Sequence, residues 1–398
     1  MNKSLLLLIA YLVVGALSVE CPKLEASNPD YADILKELQP TSEEGAGKEN
    51  VVKLIYTHNV ATISKKTASA RIVRHKTDDS QALHEYEIEQ LIASLDNPLE
   101  SATPHYFAHS YGCWAHGIYY YTATQATGGH MDEDKERNHF LDCSPAEQAA
   151  TLDKMASALL ALHLAGVLHC NVQPKMFGRL DGSITIFNFK KAIKQGSGFC
   201  TKAESGYAAP ELFKSDLSQI KNVQQKFSAA DYFSFGIGLI DMIDNAKVKD
   251  EEKDKERASK TLLDKSNVEK NYADQDFISG VIDSKFGVIM TEAEKLEKNQ
   301  LKAQRIFFLT QMKTVVSGLT KFKIEERKTL LDMFPAIHCT SAALEQAKAN
   351  NFDEMSKKLT EVFNSCTSVL ESKKSSMSTP IALTDAMKKV KTDHNFLI

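Results

Sequence analysis

The chain has 398 residues, 43 % of them hydrophobic, and its 48 Lys and Arg nearly balance its 52 Asp and Glu. That length accommodates a two-lobed domain with extensions and a core large enough to fold without staples. The balanced charge lacks the basic excess that a nucleic-acid partner calls for, and no acidic block reads as a disordered tail.

The first residues read as a secretory signal. Lys3 gives a positive start, residues 5–14 an apolar run, and Ala16-Leu17-Ser18 the small residues of a cleavage site, so 1–18 is expected to be removed. The run is too short to span a bilayer, and no other segment reaches the ~18 apolar residues of a span. The chain closes on Asn395-Phe396-Leu397-Ile398, not on a retention tetrapeptide. The expected address is the secretory lumen or the exterior, with no membrane contact after cleavage. The one N-x-S/T sequon, Asn2-Lys3-Ser4, leaves with the signal. In an oxidising compartment some of the seven cysteines (Cys21, Cys113, Cys143, Cys170, Cys200, Cys339, Cys366) should pair, and the odd count leaves at least one over. None has C-x-x-C spacing, and His105, His109 and His116 are irregularly spaced, so no metal site is expected.

Residues 19–50 are polar, contain Pro22, Pro29 and Pro40, and read as an N-terminal extension with a short helix near 32–38. From Val51 β-branched runs predict antiparallel strands at 51–56, 60–63 and 70–73. Leu83, Ile88, Leu91, Ile92 and Leu95 then fall at helical spacing over 82–95, with Pro98 as the stop. Strands follow at 106–111 and 118–123, the second carrying Tyr119-Tyr120-Tyr121 in alternation. Ser144-Pro145-Ala146-Glu147 is a capping box with Pro in the first turn, opening a helix to about Leu164. Residues 169–174 read as a loop and 184–187 as a short strand. Residues 229–243 predict a buried helix. The charge-dense 247–260 reads as a solvated helix or loop, and two helical patterns, 301–319 and 342–366, complete an α+β chain.

Five motifs in this order resemble the protein kinase superfamily. Leu162-His163 with Val167-Leu168-His169 is similar to the approach to a catalytic loop, and His169-Cys170-Asn171-Val172-Gln173-Pro174 to the loop itself. Ile186-Phe187-Asn188-Phe189-Lys190 resembles the strand into D-F-G, Ala209-Pro210-Glu211 is an A-P-E, and Asp231 to Gly236 resembles the start of the buried D-x-W-S-x-G helix. Arg327 in Glu325-Glu326-Arg327-Lys328-Thr329 is similar to the late Arg that pairs with the A-P-E Glu. The resemblance implies a bilobal fold, with a small antiparallel β lobe and a larger, mainly helical lobe. It divides the chain into signal 1–18, extension 19–50, small lobe 51–125, large lobe 126–339 with an insertion at about 245–300, and a helical extension 340–398.

On the same resemblance the reaction centre is degenerate. Asn171 stands where the general base should be, and an amide takes no proton at neutral pH. Asn188 and Met176 stand where the two Mg²⁺ ligands should be, and Lys190 replaces the hinge glycine. No Gly lies between Gly47 and Gly112, where a phosphate loop belongs. Arg71 takes the place of the phosphate-binding Lys, with Lys76 as the substitute further along, and Glu85 and Glu89 both fit as its helix partner. His169, Glu211, Asp231 and Arg327 are the retained structural set. Cys170 stands where many kinases keep an Arg that grips a phosphorylated activation segment, and Cys200 falls near that phosphosite, so the resemblance implies a disulfide in place of the ion pair. Connectivity is not fixed by sequence, and separate thiols stay an open reading. Cys339 and Cys366 flank a helical segment and are a second candidate pair; Cys143 ends a helix and is the candidate free thiol.

The expected function is that of a secreted pseudokinase that binds a protein, another kinase among the candidates, as scaffold or allosteric regulator. No cofactor is expected, but ATP with Mg²⁺ stays an open reading, in which a nucleotide-binding pseudokinase uses ATP to stabilise one conformer. The alternative is a divergent secretory-pathway kinase or nucleotide-binding transferase with non-standard metal chemistry.

Overall fold

The structure, a computed structural model, describes residues 51–52, 70–76, 79–93, 106–108, 110–116, 119–125, 129–131, 133–180, 182–195, 200, 206–213, 223–244, 275–378 and 383. The signal segment, the N-terminal extension, the strand at 60–63 and the charged stretch 247–260 lie outside them. The chain separates into two compact units, one from Met1–Ala93 with His109–Ala126, the other from Ser94–Ala108 with Thr127–Ile398.

The first unit contains an antiparallel sheet of β1 (Val51–Val52), β2 (Ala70–Lys76), β3 (Ser110–His116) and β4 (Tyr119–Gln125), ordered β1-β2-β4-β3. Alternating β-branched and aromatic residues suit a sheet covered on one face. The register sets Arg71 opposite Thr124 and Lys76, the last residue of β2, opposite Tyr119. Helix α1 (Asp79–Ala93) packs on this sheet. Its buried residues Glu85, Ile88, Glu89 and Ile92 fall at i, i+3, i+4 and i+7, a single face.

The second unit is mainly helical: α2 (Asp134–Asp142), α3 (Pro145–Leu164), α4 (Val223–Ile243), α5 (Gln275–Glu294), α6 (Gln300–Leu319), α7 (Leu330–Gln346) and α8 (Phe352–Lys373). Short antiparallel pairs join β5 (Val167–Leu168) to β8 (Ile193–Lys194) and β6 (Phe177–Leu180) to β7 (Ser183–Ile186). Helix α3 starts at the expected capping box: the Ser144 hydroxyl accepts from the Glu147 N–H, and the Glu147 carboxylate accepts from the Ser144 N–H at 2.9 Å. It is buried along most of its length because Ala149, Ala156, Ala158 and Ala161 let neighbours approach. It packs against α7 and β7, while α6 lies against α4, α5, α7 and α8. Helix α4 buries Phe233, Phe235, Ile237, Leu239 and Ile240, as its apolar run requires.

The described residues therefore form an α+β protein with antiparallel strands. No helix among them is long and apolar enough to cross a membrane. Several expectations change. The pattern at 342–366 is two helices, α7 and α8, because the Asn351 side chain accepts from the Glu354 N–H and starts a new helix. The boundary placed between 339 and 340 falls inside α7. The strand expected over 106–111 begins at Ser110; Phe107 instead forms a bridge with Ile186, and Ile186 N–H donates to Tyr106 O at 3.0 Å. The 245–300 insertion contains α5, whose Ile278, Ile282, Phe286 and Ile289 are buried core residues. Helix α2 carries mostly polar residues and gave no apolar pattern to read.

Candidate functional site

Asp231, in α4 and 1 % exposed, organises the loop after β5. Its Oδ2 accepts the His169 N–H at 2.7 Å and lies 2.9 Å from His163 Nε2, while Oδ1 accepts the Cys170 N–H at 2.9 Å. A buried carboxylate needs such donors in place of the water it has lost. His163 stands in the last turn of α3, so one carboxylate ties α3, α4 and the loop together. Cys170 has φ 60°, a left-handed conformation that a residue with a β-carbon adopts only when its surroundings hold it.

His169 is completely buried, and its Nε2 donates to Phe187 O at 3.1 Å. Its Nδ1 is buried with no hydrogen-bond partner, which fits a neutral ring protonated on Nε2. Burial pushes the His169 imidazole below its ordinary value, with the Asp231 carboxylate opposing. The Phe187 end of this bond leads into Asn188, which like Cys170 is a left-handed non-glycine residue, at φ 69°.

Asn171 is half-buried, and its side-chain oxygen accepts from Gln173 Nε2 at 3.1 Å. Met176 is 2 % exposed, in the turn Pro174–Met176, where its N–H bonds to Gln173 O and its carbonyl accepts from Phe187 N–H. Asn188 is half-buried and precedes the turn Phe189–Lys191 without capping it through its side chain. Backbone hydrogen bonds thus link the segments of all three. Together they offer two amides and a thioether. None takes up a proton at neutral pH, and none supplies the carboxylate oxygen that Mg²⁺ relies on. This donor set does not fit a metal–nucleotide complex. Among the described residues no group of three or more His, Cys, Asp or Glu could hold a metal ion.

A second buried frame lies at Glu211, in the turn Pro210–Phe213. Arg327 Nη1 donates to Glu211 Oε1 at 2.8 Å and Nη2 to Oε2 at 3.2 Å, with the two side chains 0 % and 4 % exposed. The guanidinium also donates to Ala229 O at 2.7 Å and Lys321 O at 2.9 Å and lies 5.0 Å from the Phe233 ring centre.

Cys170 and Cys200 form a disulfide with Cα atoms 5.3 Å apart, and Cys339 and Cys366 a second, at 5.5 Å. Cys143 is a free, half-buried thiol beside His139, and burial together with Glu147 pushes its pKa up. Arg71 lies in β2 and Glu85 and Glu89 on the buried face of α1; the Arg71 side chain is outside the described residues, as are those of Cys21 and Cys113.

Three features were not picked out from sequence: the His163 tie, the Gln173 amide on Asn171, and a buried pair of His338 Nδ1 with Asp153 Oδ2 at 2.8 Å joining α3 to α7. The first and third join residues far apart in the chain, and no local spacing announces them. Gln173 lies within the loop motif itself, but nothing in its residue type predicted which side chain it would bond.

No protein-family model and no curated protein matches the chain.

Proposed function

We propose that this protein is a kinase-like pseudokinase that works by binding another protein, as a scaffold or allosteric regulator, in the secretory lumen or outside the cell. In this reading the sheet-bearing unit stands for the small lobe and the helical unit for the large lobe. The observation that carries it is the contrast between frame and centre. Asp231 with the 169–170 backbone, and Glu211 with Arg327, are buried and multiply bonded. The positions where transfer chemistry would sit hold Asn171, Asn188 and Met176. A buried, multiply bonded frame around groups that take up no proton and offer no anionic metal ligand favours recognition over reaction. The two disulfides suit an oxidising compartment.

The test is a pair of assays on purified protein. Incubation with labelled Mg-ATP or Mn-ATP and generic protein substrates is expected to give no phosphate transfer. The melting temperature is expected not to shift when ATP is added with either metal. Transfer abolished by Asn188→Ala would replace this reading with that of a divergent kinase.

A further inference from the structure

We propose that the outer face of the α5–α6 hairpin is a self-association surface, through which two copies of this chain meet. Three large hydrophobic side chains stand exposed among the described residues: Val288 at 63 %, Leu296 at 41 % and Leu301 at 49 %. All three belong to this hairpin. Val288 is in α5, Leu296 in the turn after it and Leu301 in the first turn of α6. Scattered singly over a surface, such residues would need no explanation; gathered on one element, they mark a face that another molecule covers.

The same side of α5 is open to close approach. Gly280, Ser284, Gly287 and Thr291 follow at i, i+4, i+7 and i+11, one face of a helix, and Val288 borders it. Glycine inside a helix is destabilising, and packing within the chain does not call for it here: a Cβ added at Gly280 or Gly287 would meet no neighbour within 4 Å. The Thr291 hydroxyl donates to Gly287 O at 2.8 Å, so covering it strands no donor. The turn itself is held. Lys302 Nζ donates to Leu296 O at 3.1 Å, and the Asn299 side chain accepts the Lys302 N–H at 3.2 Å.

Charge argues for a second copy as the occupant. Residues 283–302 carry four acidic and four basic side chains. A face of one sign would repel its own copy and call for a partner of the opposite sign; a neutral face with both signs does neither. In a two-fold contact each face meets itself reversed. Asp283 and Lys295, the residue after α5, lie equally far before and after Ile289, about 9 Å along the axis. Two α5 helices crossing antiparallel beside Val288 therefore bring Asp283 of each copy level with Lys295 of the other. Their bonds within the chain are exposed ones, Asp283 to Lys313 at 2.8 Å and Lys295 to Glu292 at 2.6 Å, so exchanging partners costs little. Helix α5 has 20 residues and is about 30 Å long and about 10 Å wide. One such face, even with the turn added, falls short of the roughly 800 Å² per partner of a standard stable interface, so association is weak and set by concentration.

Sedimentation equilibrium on the full chain tests it, over about 1 to 200 µM, as a weak interface requires. The C143S background keeps the free thiol from supplying a covalent link. The mean mass should rise with concentration toward that of a dimer. Gly287→Arg places a side chain where the single chain has open space. It should keep the wild-type melting temperature and stay monomeric. Asp283→Lys should weaken association at least about tenfold, and D283K/K295D should restore it to within about threefold of wild type. A monomer at every concentration overturns the proposal, as does a dimer that survives Gly287→Arg or a charge swap that restores nothing. If Gly287→Arg lowers the melting temperature, Val288→Lys decides in its place by the same criterion. No nucleotide enters these measurements, and the surface stands whether or not the pseudokinase reading holds.

Discussion

Arg327→Ala removes the guanidinium that closes the Glu211 frame, and the structure sets the size of the loss. Both forks engage Glu211, at 2.8 and 3.2 Å, with the Arg side chain 0 % and the Glu side chain 4 % exposed. Alanine leaves the Glu211 carboxylate buried without its partner charge and takes a donor from the carbonyls of Ala229 and Lys321. Breaking a buried pair from one side costs about 3–5 kcal/mol, most of it the uncompensated charge. For a unit this large each kcal/mol moves the midpoint by roughly 2–4 °C, so a drop of roughly 6–20 °C is expected. Urea unfolding followed by far-ultraviolet circular dichroism gives the free energy, and thermal melts give the midpoint. The double variant E211L/R327M separates charge from packing: with both charges gone it should recover most of the loss. A loss below about 1 kcal/mol for Arg327→Ala, the value of an exposed pair, would refute the argument that this pair is a desolvated frame.

Asp231→Asn keeps one acceptor oxygen and turns the other into a donor facing a donor, so it should cost about 1.5–3 kcal/mol and raise amide exchange at His169 and Cys170; wild-type exchange there would count against the Asp231 tie. Lowering pH should destabilise the protein through His169: its folded pKa lies below the ordinary 6.5, so the folded state stays neutral while the unfolded chain takes up a proton. The contribution is complete above pH 6.5 and is lost as pH falls toward the folded pKa, by at most about 1.4 kcal/mol per pH unit. Urea curves at pH 7.5 and 5.5 measure it, and an equal slope in His169→Asn would assign the effect elsewhere. C339S/C366S removes a closed loop spanning 27 residues and should cost roughly 3–4 kcal/mol in urea unfolding under non-reducing conditions; wild-type stability would show that the bond constrains nothing the packing does not.

Local patterns were legible where one element carries its own signal. The Ser144 box and its alanine-rich sequel announce α3, and the run from Ala229 announces α4. Where the signal is tertiary, the sequence was mute or misleading. Helix α5 hides its buried stripe of Ile278, Ile282 and Phe286 in the region read as an insertion at about 245–300, beyond its charge-dense part. The stop between α7 and α8 is a single capping side chain, Asn351, set in an otherwise helical pattern. Of the site, the motif residues Asp231, Glu211 and Arg327 could be singled out only through a resemblance. The bonds from Asp231 to the 169–170 backbone and from Arg327 to Glu211 span 61 to 116 residues and have no spacing rule. Cysteine pairing is likewise a matter of three-dimensional proximity, which counting along the chain does not supply.

The site sorts its polar groups by what they bind. Asp231, Arg327 and His169 each engage backbone atoms of distant segments and are buried, so each costs stability to lose. Asn171 is satisfied by Gln173, two residues away, and Met176 contributes only backbone bonds and apolar volume. The loop thus exposes Lys175 beside the half-buried Asn171, while the Asp231 carboxylate that holds its backbone lies underneath. On the proposed reading, a surface of this kind depends on the frame, and removing Asp231 alters the loop before any surface side chain changes. The reverse does not hold for chemistry. On the proposed reading, a carboxylate introduced at Asn171 alone would leave Asn188 and Met176 neutral, with no anionic oxygen for a metal ion, so Asn171→Asp is expected to give no phosphate transfer from Mg-ATP.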